Sequence, residues 1–256
     1  MNFNENKNLI DTMLDLGEEL LSSGAEVNRV EDTLRRMGVA YGAKKVNVFV
    51  ITSSIVITLI FENDVEITST RRIVKSVSTN FSRFEQLNNL SRICVENTPA
   101  IEDIKVSLKE ITTHKPTKIF EYSGSILASG AFTIFFGGNI FDGIIASIFG
   151  AIICFLSQYF APKCPNRVFY YFSTAFLVGT GICFVSTLSS VFHADKIMIG
   201  DIMLLIPGIA MTNSVRDMLI GDTLSGAMRF IESLIWAVAI AGGFMLAIAI
   251  TGRFAI

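Results

Sequence analysis

Residues 119–256, the longer part of the chain, hold only 13 of its 44 charged side chains. A helix needs about 20 mostly apolar residues to cross the hydrocarbon of a bilayer, and five stretches meet that length: about 119–137, 141–160, 168–190, 197–220 and 229–250. Backbone groups in lipid must be satisfied within the segment, so each stretch is expected to be helical. Sixteen of the 21 phenylalanines fall in this part, and Tyr159, Tyr170 and Tyr171 flank one short connection, as an interfacial aromatic belt does. The whole-chain figures of 51 % hydrophobic and 17 % charged average over this division. The expected fold class is an α+β N-terminal domain, residues 1–118, followed by an all-α polytopic membrane domain, residues 119–256, of about five transmembrane helices.

The N-terminal part alternates between two periods. Leu9, Ile10, Met13, Leu14, Leu16, Leu20 and Leu21 recur at helical spacing over residues 5–23, and Gly24 supplies a stop. A second helix is predicted over 26–41, with Val27, Val30, Leu34 and Met37 on one side and Glu31–Arg35 and Asp32–Arg36 as acid/base pairs four apart. Gly42 ends it. The β-branched runs 46–52 and 55–61, split by Ser53-Ser54, and a shorter run over 66–73 after Glu62-Asn63-Asp64, predict a small antiparallel meander. Helical spacing returns over 81–95 and 101–111, punctuated by Thr98-Pro99. About 115 residues are enough for a core of their own.

Orientation follows from basic residues in short connections. Lys105, Lys109, Lys115 and Lys118 precede the first span, Lys163 and Arg167 lie between the second and third, and Arg216 follows the fourth, whereas the first-to-second connection has none. This pattern puts the N-terminal domain in the cytoplasm and, with an odd number of spans, the C-terminus outside, at the cost of Lys196 and Arg253 on the outer side. Residues 1–19 are polar and acidic, without the basic flank and apolar run of a signal peptide, so the N-terminus is expected to stay where it is made.

Several function classes fall away. The N-terminal part has 16 acidic and 15 basic residues and no electrostatic footprint for nucleic acid. Cys94, Cys154, Cys164 and Cys183 form no CxxC pair, and with only His114 and His193 there is no metal-ligand set. No disulfide framework, metal or cofactor is expected. A hydrolytic triad cannot be assembled around His114, the domain's one histidine, so the chain reads as a non-enzyme.

The most informative stretch runs from Gly200 to Asp217. Pro207 removes a backbone hydrogen bond, and Gly208 tolerates the dihedrals that a helix break requires. Either the pair merely kinks the fourth span, or it starts a half-helix whose free N–H groups hold a carboxylate near the midplane, as in transporters. Asp201 is either interfacial or an intramembrane acid facing a pathway. Asn213, Arg216, Asp217 and Asp222 form a polar cluster at the far end, where Arg216 is a candidate counter-ion for an anion and Asp217 its competing internal partner; a solvated helix end is the alternative. Asp142, beside Asn139, is a helix N-cap or an exit-side charge. Small residues at Gly143, Ser147, Gly150, Ala151, Gly179, Gly181, Gly242 and Gly243 suit close helix packing or an oligomer interface. In the N-terminal domain Glu26, Arg29 and Thr33 share a helix face, as a site or as a salt-bridged surface.

At these residues the chain resembles the threonine/serine exporter family. Ser23 to Thr33, including Glu26, Arg29, Glu31 and Thr33, match a Ser-Gly-Ala-Glu-x-x-Arg-Val-Glu-x-Thr motif, and Thr70-Arg71-Arg72-Ile73-Val74 matches a later one, with Arg72 where an apolar residue is usual. Pro207, Gly208, Asn213, Arg216, Asp217, Gly221, Asp222, Gly226 and Arg229 match the membrane motif in order. The likeness is to the first half of longer, fused members. In split members a second small membrane protein supplies the other half, and such pairs are assigned to export of dicarboxylates such as succinate. The resemblance implies a second small subunit of the same family or a homo-oligomer. It also implies coupling to the proton gradient, which Asp201 and Asp222 could serve.

The expected function is a bacterial inner-membrane exporter, or exporter subunit, of small carboxylate metabolites, threonine/serine or a dicarboxylate, with the lipid bilayer and that substrate as its partners. In this reading the Pro207-Gly208 break holds the shared carboxylate, Asp201 the amine or the coupling proton, and Arg216 guides an anion. The alternative is a membrane-tethered sensor or enzyme whose spans serve as anchor.

Overall fold

The computed structural model describes residues 3–62, 65–73, 80–113 and 117–252. Asn63, Asp64, Val74, His114, Lys115 and Arg253 lie outside the described residues. The elements are α1 (Phe3–Ser22), α2 (Val27–Ala40), β1 (Lys45–Ile51), β2 (Ser54–Ile60), β3 (Glu66–Arg72), α3 (Phe81–Asn97), α4 (Ile101–Thr113), α5 (Lys118–Phe135), α6 (Ile140–Tyr159), α7 (Arg167–Leu188), α8 (Ala194–Leu205), α9 (Gly208–Leu219) and α10 (Thr223–Thr251). They fall into two compact units, residues 1–115 with 209–230 and residues 116–208 with 231–256. Residues 209–230 thus join the N-terminal unit, a grouping that hydropathy does not reveal.

In the first unit, the apolar stripe predicted for α1 is buried along its length, from Leu9 to Leu21. It packs with Val27, Val30, Leu34 and Met37 of α2 and Leu87 and Cys94 of α3. Burial of such side chains stabilises by roughly 1.5–3 kcal/mol each. The three strands form the expected antiparallel meander in the order β1-β2-β3, with Val48 opposite Ile57 and Ile57 opposite Ser69. Successive strand side chains face opposite ways, so Ile55, Ile57 and Leu59 of β2 point into the core while their neighbours are half-buried. The Asp32–Arg36 pair forms at 2.5 Å. The Glu31 carboxylate instead accepts from the Val50 N–H of β1 at 2.9 Å, a partner that sequence spacing cannot supply.

In the second unit α5 packs against α6 and α8, and Ala146, Phe149, Ala175, Val178, Ile197 and Phe244 belong to its core. Many small residues are used inside this chain: a Cβ on Gly150 would sit 2.8 Å from the Ser125 carbonyl, and one on Gly243 would sit 2.5 Å from that of Phe172. Asn139 and Asp142 form a complete capping box at the start of α6, so Asp142 is a cap, and it also accepts from the His193 backbone N–H at 2.8 Å.

Among the described residues, three helices are long and apolar enough to cross a membrane: α6 with its short extension to Lys163, α7 and α10. The α8/α9 pair makes a fourth if it is one span. The predicted first span coincides with α5, but Lys118, Glu121, Tyr122, Ser123 and Ser125 leave it short of that apolar content. The α8/α9 break falls at Pro207 as expected. Ile206 is extended, with φ −60° and ψ 128°, as a residue before proline prefers to be. Gly208, however, takes no left-handed φ and a Cβ there would meet open space. Proline alone accounts for the break, and the conformational freedom expected of Gly208 is unused.

Candidate functional site

Two buried polar clusters stand out, one in each unit. In the second unit, Asp201 on α8 is fully buried among apolar helices. Its Oδ1 accepts from Ser129 Oγ of α5 at 2.5 Å, and its Oδ2 has no hydrogen-bond partner. Ser129 Oγ also lies 2.9 Å from the Ala146 carbonyl of α6, and Thr133 donates to the Ser129 carbonyl at 2.9 Å. This close approach depends on Gly200. A Cβ there would land on Thr133 Oγ1 and 2.8 Å from the Ser129 carbonyl, so α5 and α8 can meet only over a glycine.

A serine hydroxyl has one hydrogen, while Ser129 faces two oxygens. If Asp201 carries a proton, it can donate to Ser129 Oγ while Ser129 donates to Ala146. If Asp201 is ionised, Ser129 turns its hydrogen to the carboxylate. The arrangement therefore offers both protonation states a hydrogen-bond pattern, and the unpartnered Oδ2 offers a further acceptor.

In the first unit, the segment Ser23–Thr33 meets residues 213–229. Two glycine turns set it up. Gly24, φ 97°, and Gly221, φ 105°, each end a helix in the left-handed region that favours glycine. The N–H groups that follow them satisfy the last carbonyls, Ala25 N–H on Leu20 and Asp222 N–H on Asp217, each closed by the second bond of a Schellman motif. Ala25 and Glu26 then face α9 and the start of α10. Arg216 Nη1 pairs with Glu26 Oε1 at 2.7 Å, Arg229 Nη1 lies 3.4 Å from Asp217 Oδ2, and Arg229 Nη2 donates to the Ala25 carbonyl at 3.1 Å. Asp217 is fully buried and Arg229 is 9 % exposed, whereas the Arg216 side chain is 61 % exposed. Gly226 lets α10 pass close to α9, since a Cβ there would sit 2.6 Å from the Ser214 carbonyl. Burial pushes the Glu31 carboxyl above its ordinary range; the Val50 N–H opposes this, and the Asp222 charge adds to it.

The structure thus rearranges the predicted partners. Glu26 pairs directly with Arg216, and Asp217, on which the Arg216 charge also acts, pairs with Arg229. Asn213 is half-buried on α9, three and four residues before Arg216 and Asp217. Pro207 and Gly208 lie at the opposite end of α9, about 12 Å from Arg216 at 1.5 Å per residue. Arg29 is exposed and stacks its guanidinium over the Phe84 ring at 5.1 Å, and Thr33 is half-buried, so the expected Glu26/Arg29/Thr33 face does not converge on one ligand. Arg71 lies elsewhere, bonded to Asp15 at 2.6 Å and Glu18 at 3.3 Å. Sequence reasoning missed Ser129 and Thr133. Their signal is the polar stripe Ser125, Ser129, Thr133 at intervals of four on an apolar helix. Among the described residues no group of three or more His, Cys, Asp or Glu side chains is arranged to hold a metal ion.

Comparison with known proteins bears on both clusters. The family model described as "Putative threonine/serine exporter" matches residues 11–251. A curated relative, "Probable threonine/serine exporter" from Mycobacterium tuberculosis (strain ATCC 25618 / H37Rv), is 20 % identical over 252 residues, covering 94 % of this chain and 46 % of the relative. The chain therefore spans about half the length of that relative. No solved structure matches it. The family match takes in both motif segments and every residue of the two clusters, and on that extent the chain belongs to the threonine/serine exporter family.

Proposed function

We propose that the chain is an exporter, or one subunit of an exporter, for small carboxylate metabolites, threonine and serine or a dicarboxylate such as succinate, driven by the proton gradient across a bacterial inner membrane. The observation that carries this reading is Asp201, an acid fully buried in an apolar helix bundle with one oxygen on a switchable hydroxyl and the other unpartnered. Intramembrane acids are costly and mark ion or substrate pathways. Asp201 takes the coupling proton or the amine of an amino acid. Arg216, exposed and paired with Glu26, guides the carboxylate, which competes with Glu26 for the guanidinium. Asp217, Asp222 and Glu31 keep that region acidic, Asn213 adds a polar group beside it, and Pro207 and Gly208 set where α9 begins.

The N-terminal unit lies in the cytoplasm and the C-terminus outside. Five spans include α5, whose polar residues face α6 and α8. A second small membrane subunit of the same family or a homo-oligomer is its partner, as the resemblance to split members implies. Cys164, half-buried beside the short turn after α6, tests the orientation. A membrane-impermeant maleimide labels it only after cell permeabilisation, and labelling of intact cells overturns the topology.

Counterflow of labelled threonine, serine and succinate in proteoliposomes tests the transport reading, with the chain alone and with a co-reconstituted second subunit. Exchange of one substrate that disappears in Asp201→Asn is expected. Full activity of Asp201→Asn removes its assigned role, and silence in both preparations of folded protein refutes export.

A further inference from the structure

A charged cleft in the first unit is used by neither cluster. It has a volume of about 270 Å³, below the roughly 300–1,000 Å³ of sites for drug-sized ligands. Asp15, Glu18 and Glu19 line it from α1, Arg71 from β3, and Lys105 and Lys109 from α4. Its walls are fixed by Arg83, which donates to the Thr112 carbonyl at 3.0 Å and lies 3.8 Å from Glu19. Across the cleft Arg71 Nη1 bonds Asp15 at 2.6 Å, and both side chains are reachable by solvent, at 33 % and 42 % exposure.

We propose that this cleft is a binding site for a free amino acid, whose ammonium and carboxylate insert into the Arg71–Asp15 pair. The ammonium replaces the guanidinium at Asp15, with Glu18 beside it, and the carboxylate replaces Asp15 at Arg71, in a cleft that Lys109 and Lys105, itself paired with Glu102 at 3.0 Å, also line. Each charge that is separated finds a new partner of opposite sign, so the exchange leaves no ion uncompensated. A simple cation meets three basic side chains and a simple anion meets three acidic ones. A dicarboxylate brings a second negative charge into a cleft that already holds three carboxylates, so the mixed lining selects zwitterions against succinate. The fork of Arg71 also suits a carboxylate better than a point charge would. Occupancy then reports the level of free amino acid on the side of the membrane where the domain lies. This inference stands apart from the transport reading, because it uses no residue of either cluster.

Equilibrium dialysis of the purified full chain with radiolabelled L-serine and L-threonine tests it. Saturable binding is expected, displaced by glycine but not by N-acetylserine, serinamide or succinate. Asp15→Asn weakens it at least tenfold, and the Lys105→Gln/Lys109→Gln variant, altered on the α4 side of the cleft, weakens it by threefold or more. Asp201→Asn retains the component of binding that Asp15→Asn removes. Equal melting temperatures of Asp15→Asn and the unmodified chain show that the loss is not unfolding. Absence of saturable binding, binding indifferent to both cleft variants, or binding lost in Asp201→Asn overturns the proposal. The last outcome would assign the ligand to the membrane site and leave the transport reading intact.

Discussion

Asp217→Asn isolates the buried ion pair that joins α9 to α10 within residues 209–230. Asp217 Oδ2 lies 3.4 Å from Arg229 Nη1, with the two side chains 0 % and 10 % exposed. At an effective dielectric constant of about 20, that separation corresponds to a gross attraction of about 5 kcal/mol. Much of this is offset by desolvation, but removing one partner leaves the other charge buried, at a typical cost of about 3–5 kcal/mol. Asparagine keeps the shape and leaves an amide oxygen facing Arg229, which favours the lower end, about 3 kcal/mol. For a chain of this size that corresponds to a fall in Tm of about 6–12 °C. The assay is thermal unfolding of the purified chain in detergent at fixed pH and protein concentration, followed by circular dichroism. Asp217→Asn/Arg229→Met removes both charges and should lose less than the two single variants combined, because no uncompensated ion remains. Arg216→Gln is the contrast: its pair with Glu26 is solvated, so its cost should stay within about 0–1 kcal/mol. An Asp217→Asn variant that melts within 2 °C of the unmodified chain, or single-variant costs that simply add in the double, would refute the buried coupling.

Gly200→Ala drives a methyl onto Thr133 Oγ1 and against the Ser129 carbonyl, an overpacking that typically costs about 1–3 kcal/mol. It should lower Tm and suppress counterflow by separating Ser129 from Asp201, with partial recovery of Tm in Gly200→Ala/Thr133→Ala; unchanged melting and transport would remove the α5/α8 contact. Glu31→Gln tests linkage. The folded-state pKa of Glu31 lies above its ordinary value of 4.5, so the stability this confers is full below that value and lost as pH rises through the raised one. Glutamine cannot ionise and keeps an acceptor for Val50, so the Tm of Glu31→Gln relative to the unmodified chain should climb as the pH is raised above that ordinary value. A flat or falling difference contradicts the assignment.

The N-terminal fold was legible because its local signals agree. The stripe over Leu9–Leu21, the stops at Gly24 and Gly42 and the β-branched run of β2 each specify an element without knowledge of its neighbours, and all appear where expected. The break at Pro207 was legible for the same reason, since proline acts on its own backbone. The spans were less so. Length and hydropathy find α6, α7 and α10, whereas the stretch predicted as the first span forms α5, whose polar residues leave it short of the apolar content of the other three.

What the sequence determined by itself was the division of chemistry: where the charges are, which stretches are apolar, which residues punctuate them and which family the motifs resemble. Tertiary structure decided the pairings. Glu26 and Arg216 are 190 positions apart, and Ala25 and Arg229 are 204 apart. No periodicity can encode such contacts, because helical and strand periods report only neighbours within a few residues. The same holds for Asp201, whose spacing reveals an acid in an apolar stretch but not Ser129, supplied from 72 residues away. A side chain's charge is a local property. Which opposite charge compensates it in the buried state depends on which backbones can approach, and here that was settled by glycines at positions 24, 200, 221 and 226.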